Sequence, residues 1–152
     1  ENPNNNCLLE SDISCIHDIE LYICGLNYTS NNEVTFKVCA NSSNYNISGF
    51  QFGLSANNFI PTEVLLGQDA LNANMENYDN SSSSVLAFSY STNYIPAGNN
   101  LELALFRGNY TNSEGLVEII PSYLPFISIG SSNGDELSVL NKNSNWQDIP
   151  EN

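Results

Sequence analysis

Apolar and polar residues alternate with a period of two along most of this chain. The pattern is clearest in three adjoining stretches: SVLAFSYS (84–91), the turn-rich TNYIPAGNN (92–100) and LELALFRG (101–108). It recurs upstream in GFQFGLS (49–55). A period of two sends alternate side chains to opposite faces of a strand, one into a core and one toward water. The pattern predicts strands over 19–27, 33–41, 47–55, 62–67, 84–91, 100–107, 116–120, 124–129 and 136–140. Turn-forming clusters such as Asn41-Ser42-Ser43-Asn44 and Ser131-Ser132-Asn133-Gly134 separate them. The longest break, 67–83, has room for a short helix around Asp69 to Met75. Short strands at this spacing, with no long helices between them, predict an all-β fold. The expected form is an eight- or nine-stranded antiparallel β-sandwich of the jelly-roll type. The chain then divides into an irregular N-terminal arm (1–18), the sandwich (19–140) and a polar C-terminal tail (141–152).

Length and composition fit one domain with a real core: 152 residues, 41% of them hydrophobic. Charge changes the picture. Lys37, Arg107 and Lys142 face seventeen acidic residues, for a net charge of -14. Such a surface repels phosphate backbones and anionic lipid, which excludes nucleic acid and anionic membranes as partners. No apolar run approaches the ~20 residues of a membrane-spanning helix. The chain opens at Glu1, the form expected after removal of an upstream leader. Acidity also suits divalent cations, and the oxygen-rich turn at Asn133, Asp135 and Glu136, or the stretch from Asp69 to Asp79, is a candidate place for Ca2+.

The four cysteines are Cys7, Cys15, Cys24 and Cys39. Leu21 and Ile23 share the inward face of the first strand, which puts Tyr22 and Cys24 on the outward one. Val34, Phe36 and Val38 point inward on the second strand, which turns Cys39 outward. A hairpin centred on Asn31-Asn32 sets Cys24 opposite Cys39, within cross-strand reach. The expected pairs are therefore Cys24–Cys39 and Cys7–Cys15. Zinc is the rival use, but no CxxC knuckle occurs and only His17 is present to join. Disulfides imply an oxidising, extracellular compartment. Five N-glycosylation sequons, at Asn27, Asn41, Asn46, Asn80 and Asn109, fall at predicted strand ends and turns.

Residue order carries a family resemblance. Gly49-Phe50-Gln51-Phe52, Phe88-Ser89, Ile95-Pro96-Ala97-Gly98, Leu101, Leu103, Phe106 and Asn133-Gly134 succeed one another as in the cohesin-like β-sandwich domains, which this chain resembles. The likeness covers roughly 19–140. It implies a nine-stranded jelly roll and a non-catalytic role in joining proteins at cell surfaces. The four cysteines and the N-terminal arm lie outside that pattern.

No motif for catalysis accompanies this. GxSxG, a phosphate loop and HExxH are all absent from the sequence. The carboxylates fall mostly in loops or at outward strand positions. The expected function is a non-enzymatic extracellular adhesion or structural subunit that joins copies of itself, or other protein subunits, into a surface assembly or filament. Strand addition from the arm Glu1–Cys15 or the tail Asn141–Asn152 is one way to do so. The alternative is a carbohydrate-binding module, with Trp146, Tyr90 and Tyr94 as a platform for glycans. A further alternative is a cohesin proper that captures a dockerin-type partner.

Overall fold

The computed structural model describes residues 17–30, 32–90, 92–112 and 114–151. The expected Cys7–Cys15 pair and the arm Glu1–Cys15 lie outside the described residues. Along the chain the elements are β1 (Ile19–Ser30), β2 (Glu33–Ser42), β3 (Ile47–Ala56), β4 (Phe59–Leu66), α1 (Gln68–Asn72), β5 (Glu76–Asn77) and β6 (Ser84–Phe88). Then come β7 (Gly98–Tyr110), β8 (Leu116–Ile120), β9 (Ser128–Ser131), β10 (Val139–Asn141), β11 (Ser144–Asn145) and a 3-10 turn at Trp146–Asp148. They form a two-sheet, cohesin-like β-sandwich. The first sheet runs β10-β1-β2-β7-β4; the second runs β11-β8-β3-β6-β5, with β9 also paired to β3.

Alternation builds the core as the sequence predicts. Leu21 and Ile23 of β1, Val34, Phe36 and Val38 of β2, Phe50 and Phe52 of β3, and Val85 and Ala87 of β6 are all buried between the sheets. Among the described residues, every pairing between strands is antiparallel except β1 with β10, which run parallel (Ile19 opposite Val139).

Of several register shifts, two re-aim residues that matter for the tail and for the outer surface. In β1, Cys24 faces Lys37 and Asn27 faces Thr35, so Gly25 and Leu26 together oppose one residue of β2. Gly25 takes φ 64°, a left-handed conformation that glycine adopts without steric cost. The bulge releases the Leu26 N–H from the β1–β2 ladder. It donates instead to the Pro150 carbonyl at 2.9 Å. In β7, Val38 faces Ala104 but Cys39 faces Glu102, leaving Leu103 as the extra residue. Leu103 and Ala104 are both buried. Phe106 therefore points inward, and Leu105 points out.

The C-terminal tail corrects the expected domain boundary. It is a structural part of the sandwich rather than a loose polar extension. β11 pairs with β8, Trp146 N–H donates to the Gly115 carbonyl at 3.0 Å, and the indole N–H donates to the Asn57 carbonyl at 3.0 Å. The Trp146 ring lies against Phe36, Phe59 and Tyr110, with centroids 5.4, 5.9 and 6.4 Å away. Ile149 is buried beside it. A run that looks polar in one dimension thus supplies two anchors that close one end of the core.

Some predicted strands move. The one expected over 124–129 forms as Ser128–Ser131, and the one over 136–140 as Val139–Asn141. The strand expected over 84–91 ends at Phe88. The helix forms at Gln68–Asn72, within the segment that had room for it.

Candidate interaction surfaces

Among the described residues, no group of three or more His, Cys, Asp or Glu side chains stands close enough to hold a metal ion. Asn133, Asp135 and Glu136 are exposed in the turn after β9. That turn is organised by Ser131, whose hydroxyl accepts the backbone N–H groups of Asn133 and Asp135, each at 3.2 Å. The expected Ca2+ site therefore has a protein explanation for its shape.

Cys24 and Cys39 are bonded, as expected, with Cα atoms 6.2 Å apart. The register differs from the expectation. Tyr22 faces Cys39 and Cys24 faces Lys37, so the disulfide crosses the ladder diagonally.

The sugar platform does not assemble as expected. Trp146 is only 2% exposed and belongs to the core. Tyr94 is exposed, but among the described residues Tyr90 packs against other rings than that of Tyr94. A different cluster assembles on the outer face of the second sheet. Tyr78 stacks on Phe88 with centroids 4.4 Å apart, and Tyr90 stands on edge against both, at 4.9 Å from Phe88 and 5.8 Å from Tyr78. Tyr90 is 83% exposed. The sequence offered Tyr78 among its candidate platform aromatics and Phe88 in the family pattern, but it did not show that they meet, because only the pairing of β5 with β6 brings them together (Glu76 opposite Phe88).

The rest of that face explains its shape. Gly49 and Gly53 of β3 flank Gln51 on this face and add no side chains to it. A Cβ at Gly49 would stand 3.0 Å from the Phe88 Cβ, so the glycine gives the aromatic ring its room. Phe88 and Leu86 turn outward beside Gly49 and Gln51. Leu116 and Ile120 of β8 are exposed on the same side. Glu76 and Glu118 supply its charge, and no basic residue lies there.

A buried carboxylate ties the loops that border this face. Asp79, 7% exposed, accepts hydrogen bonds from the Ser84 hydroxyl, from the Ser81 N–H at 2.9 Å and from the Tyr123 hydroxyl at 2.8 Å. Burial alone would push its carboxyl up, but these donors outweigh burial and hold it below the usual carboxylate range. The same bond to Asp79 raises the Tyr123 phenol, with desolvation adding to it. Tyr123 thereby links the β8–β9 loop to the β5–β6 loop.

The sequons divide. Asn27, Asn80 and Asn109 are exposed. The Asn41 amide is engaged by the Tyr22 hydroxyl, the Asn100 N–H and Glu20. The Asn46 side chain accepts the Ala97 N–H at 3.0 Å. No helix among the described residues is long and apolar enough to cross a membrane.

No family model and no curated protein matches the chain. Solved structures do. A type I cohesin–dockerin complex from Clostridium thermocellum superposes with a TM-score of 0.61 at 10% identity, covering 82% of this chain and 96% of that one. The sixth cohesin of scaffoldin B from Acetivibrio cellulolyticus, solved with a Cel5 dockerin, gives 0.60 at 16% identity over 88% and 99% of the two chains. A non-cellulosomal cohesin from the archaeon Archaeoglobus fulgidus gives 0.58 at 12% identity over 84% and 90%. At such identities the likeness establishes the fold: this chain is a cohesin-like β-sandwich.

Proposed function

We propose that this chain is a non-catalytic extracellular module that captures a protein partner on the outer face of its second sheet. The observation that carries this is the cluster of exposed Tyr78 and Tyr90 around half-buried Phe88, on a sheet face where β3 presents glycines. Exposed apolar side chains gathered on one face favour association, and aromatics are frequent anchors of protein interfaces. Glu76 and Glu118 suit a partner with basic side chains around an apolar centre. The structural neighbours solved with dockerins make a dockerin-type module the first partner to test. The intact Cys24–Cys39 disulfide supports an oxidising compartment.

Two observations favour binding by the face over the other readings. Tyr90 stands at 74° and 82° to its neighbouring rings, which does not suit the flat stacking surface a sugar prefers. The sheet edges also offer little for strand addition. β5 and β11 have two residues each and β10 three, while the longer edge strand β4 carries Pro61 beside a bulge. The tail, expected as a donor strand, is spent on its own core.

Surface plasmon resonance against the Acetivibrio cellulolyticus Cel5 dockerin, with a glycan array run alongside, tests the proposal. Binding to the dockerin that Phe88→Glu weakens at least about tenfold, ~1.4 kcal/mol, is the expected result. Glycan binding without dockerin binding, or dockerin binding indifferent to Phe88→Glu, overturns it.

A further inference from the structure

The charges of the chain are unevenly placed. All three of its basic residues stand on or beside the outer face of the first sheet, and each holds a carboxylate of that side. Lys37 Nζ lies 3.1 Å from Glu102 Oε2, Arg107 Nη1 lies 3.0 Å from Glu63 Oε1, and Lys142 Nζ lies 3.2 Å from Glu20 Oε2. Partly exposed pairs of this kind stabilise a fold by only ~0–1 kcal/mol each. Their larger effect is on the field. These six groups cancel, on a molecule whose net charge is -14. The opposite sheet has no base to offset its acids.

The same face carries an apolar groove of about 390 Å³ between α1 and the β4–β7 edge. Leu65 and Leu105 sit side by side across the β4–β7 ladder and form part of its lining. Leu105 is there because the bulge at Leu103 turns it outward. Leu71 of α1 projects as one wall and is 52% exposed. Gly67 lets α1 come this close: a Cβ there would stand 2.4 Å from the Glu102 backbone. A projecting leucine beside a recessed one gives the patch a shape that can fit its own two-fold copy.

From this charge pattern and groove we infer that the outer face of the first sheet docks a second copy of the chain, in an isologous dimer. Two bodies of such charge repel over most approaches. On this face bases offset three of the carboxylates, leaving Glu33 of β2 and Asp69 of α1 over, so it is less acidic than the opposite sheet, and apolar side chains meet. Lys37 and Glu102 flank the groove, so each copy also offers the other both signs of charge. The surface is distinct from that proposed for the partner, and a dimer built this way leaves both aromatic faces free.

Sedimentation velocity of the full chain, from micromolar to submillimolar concentration, tests the inference. The expected result is a monomer–dimer equilibrium that tightens as salt shortens the screening length from about 30 to about 8 Å. Leu71→Glu and Leu65→Lys, opposite in charge, should each weaken the dimer at least about tenfold. Tyr90→Glu adds the same charge to the opposite sheet and should change the dissociation constant less than about twofold, after its own effect on net charge. A monomer at every concentration in physiological salt overturns the inference. So does a dimer that either groove substitution leaves intact, or one that Tyr90→Glu disrupts as strongly as Leu71→Glu. Unchanged circular dichroism spectra of the variants confirm that folding is not what is being read.

Discussion

Among the described residues, Asp79 is the most buried carboxylate. Burial would raise its folded carboxyl above the ordinary value of 3.8, yet it titrates below that value because three donors converge on it. A depressed folded pKa stabilises the fold above the unfolded pKa, and that contribution disappears as pH falls through the folded one. Stability should therefore drop, as pH falls below about 4, more steeply in the native protein than in Asp79→Asn. Urea melts at several pH values measure this; equal pH dependence would refute it. Tyr123→Phe removes one donor and should move the Asp79 carboxyl back toward its ordinary value, as NMR titration would show. Asparagine offers a second residue-scale test. Expressed through a glycosylating secretory pathway, the chain is expected to carry glycans at Asn27, Asn80 and Asn109. Asn41 and Asn46, whose side chains are already hydrogen-bonded, should stay bare. Peptide mass spectrometry distinguishes the five.

At the scale of elements, the β1–β2 hairpin and the C-terminal tail hold the sandwich together by different means. Asn32 turns the hairpin at φ 61°, and Cys24–Cys39 locks it across 15 residues of sequence. Closing a loop of that length restricts the unfolded chain by about 3 kcal/mol. Reduction, or Cys24→Ser with Cys39→Ser, should lower stability by roughly that amount. A denaturation midpoint unmoved by dithiothreitol would show that the bond adds nothing. The tail acts through packing. Trp146 fills space among three aromatic rings and satisfies its indole N–H. Trp146→Ala should cost about 3–5 kcal/mol, the range for emptying an aromatic core site. The β1 bulge is what makes this docking possible, because an unbroken ladder would already have used the Leu26 N–H.

For the whole molecule, the charge arrangement matters more than its total. The second sheet shows an acidic, aromatic face; the first shows a less acidic, groove-bearing one. A module with two unlike faces can hold a partner on one and a copy of itself on the other. That arrangement would join proteins without asking for a free strand edge.

The sequence by itself determined the sandwich, the strand residues of its core and the Cys24–Cys39 pair. Each depends on local alternation, which a strand converts directly into an inside and an outside. Alternation carried unbroken through LELALFRG would have buried Leu105, and nothing local announces the extra residue that turns it out. Only the tertiary structure decided the faces: which outward residues meet across β5, β6 and β4, where the three bases gather, and that Trp146 lies in the core. Those outcomes depend on strand order, register and bulges, which are settled by contacts between residues far apart in the chain.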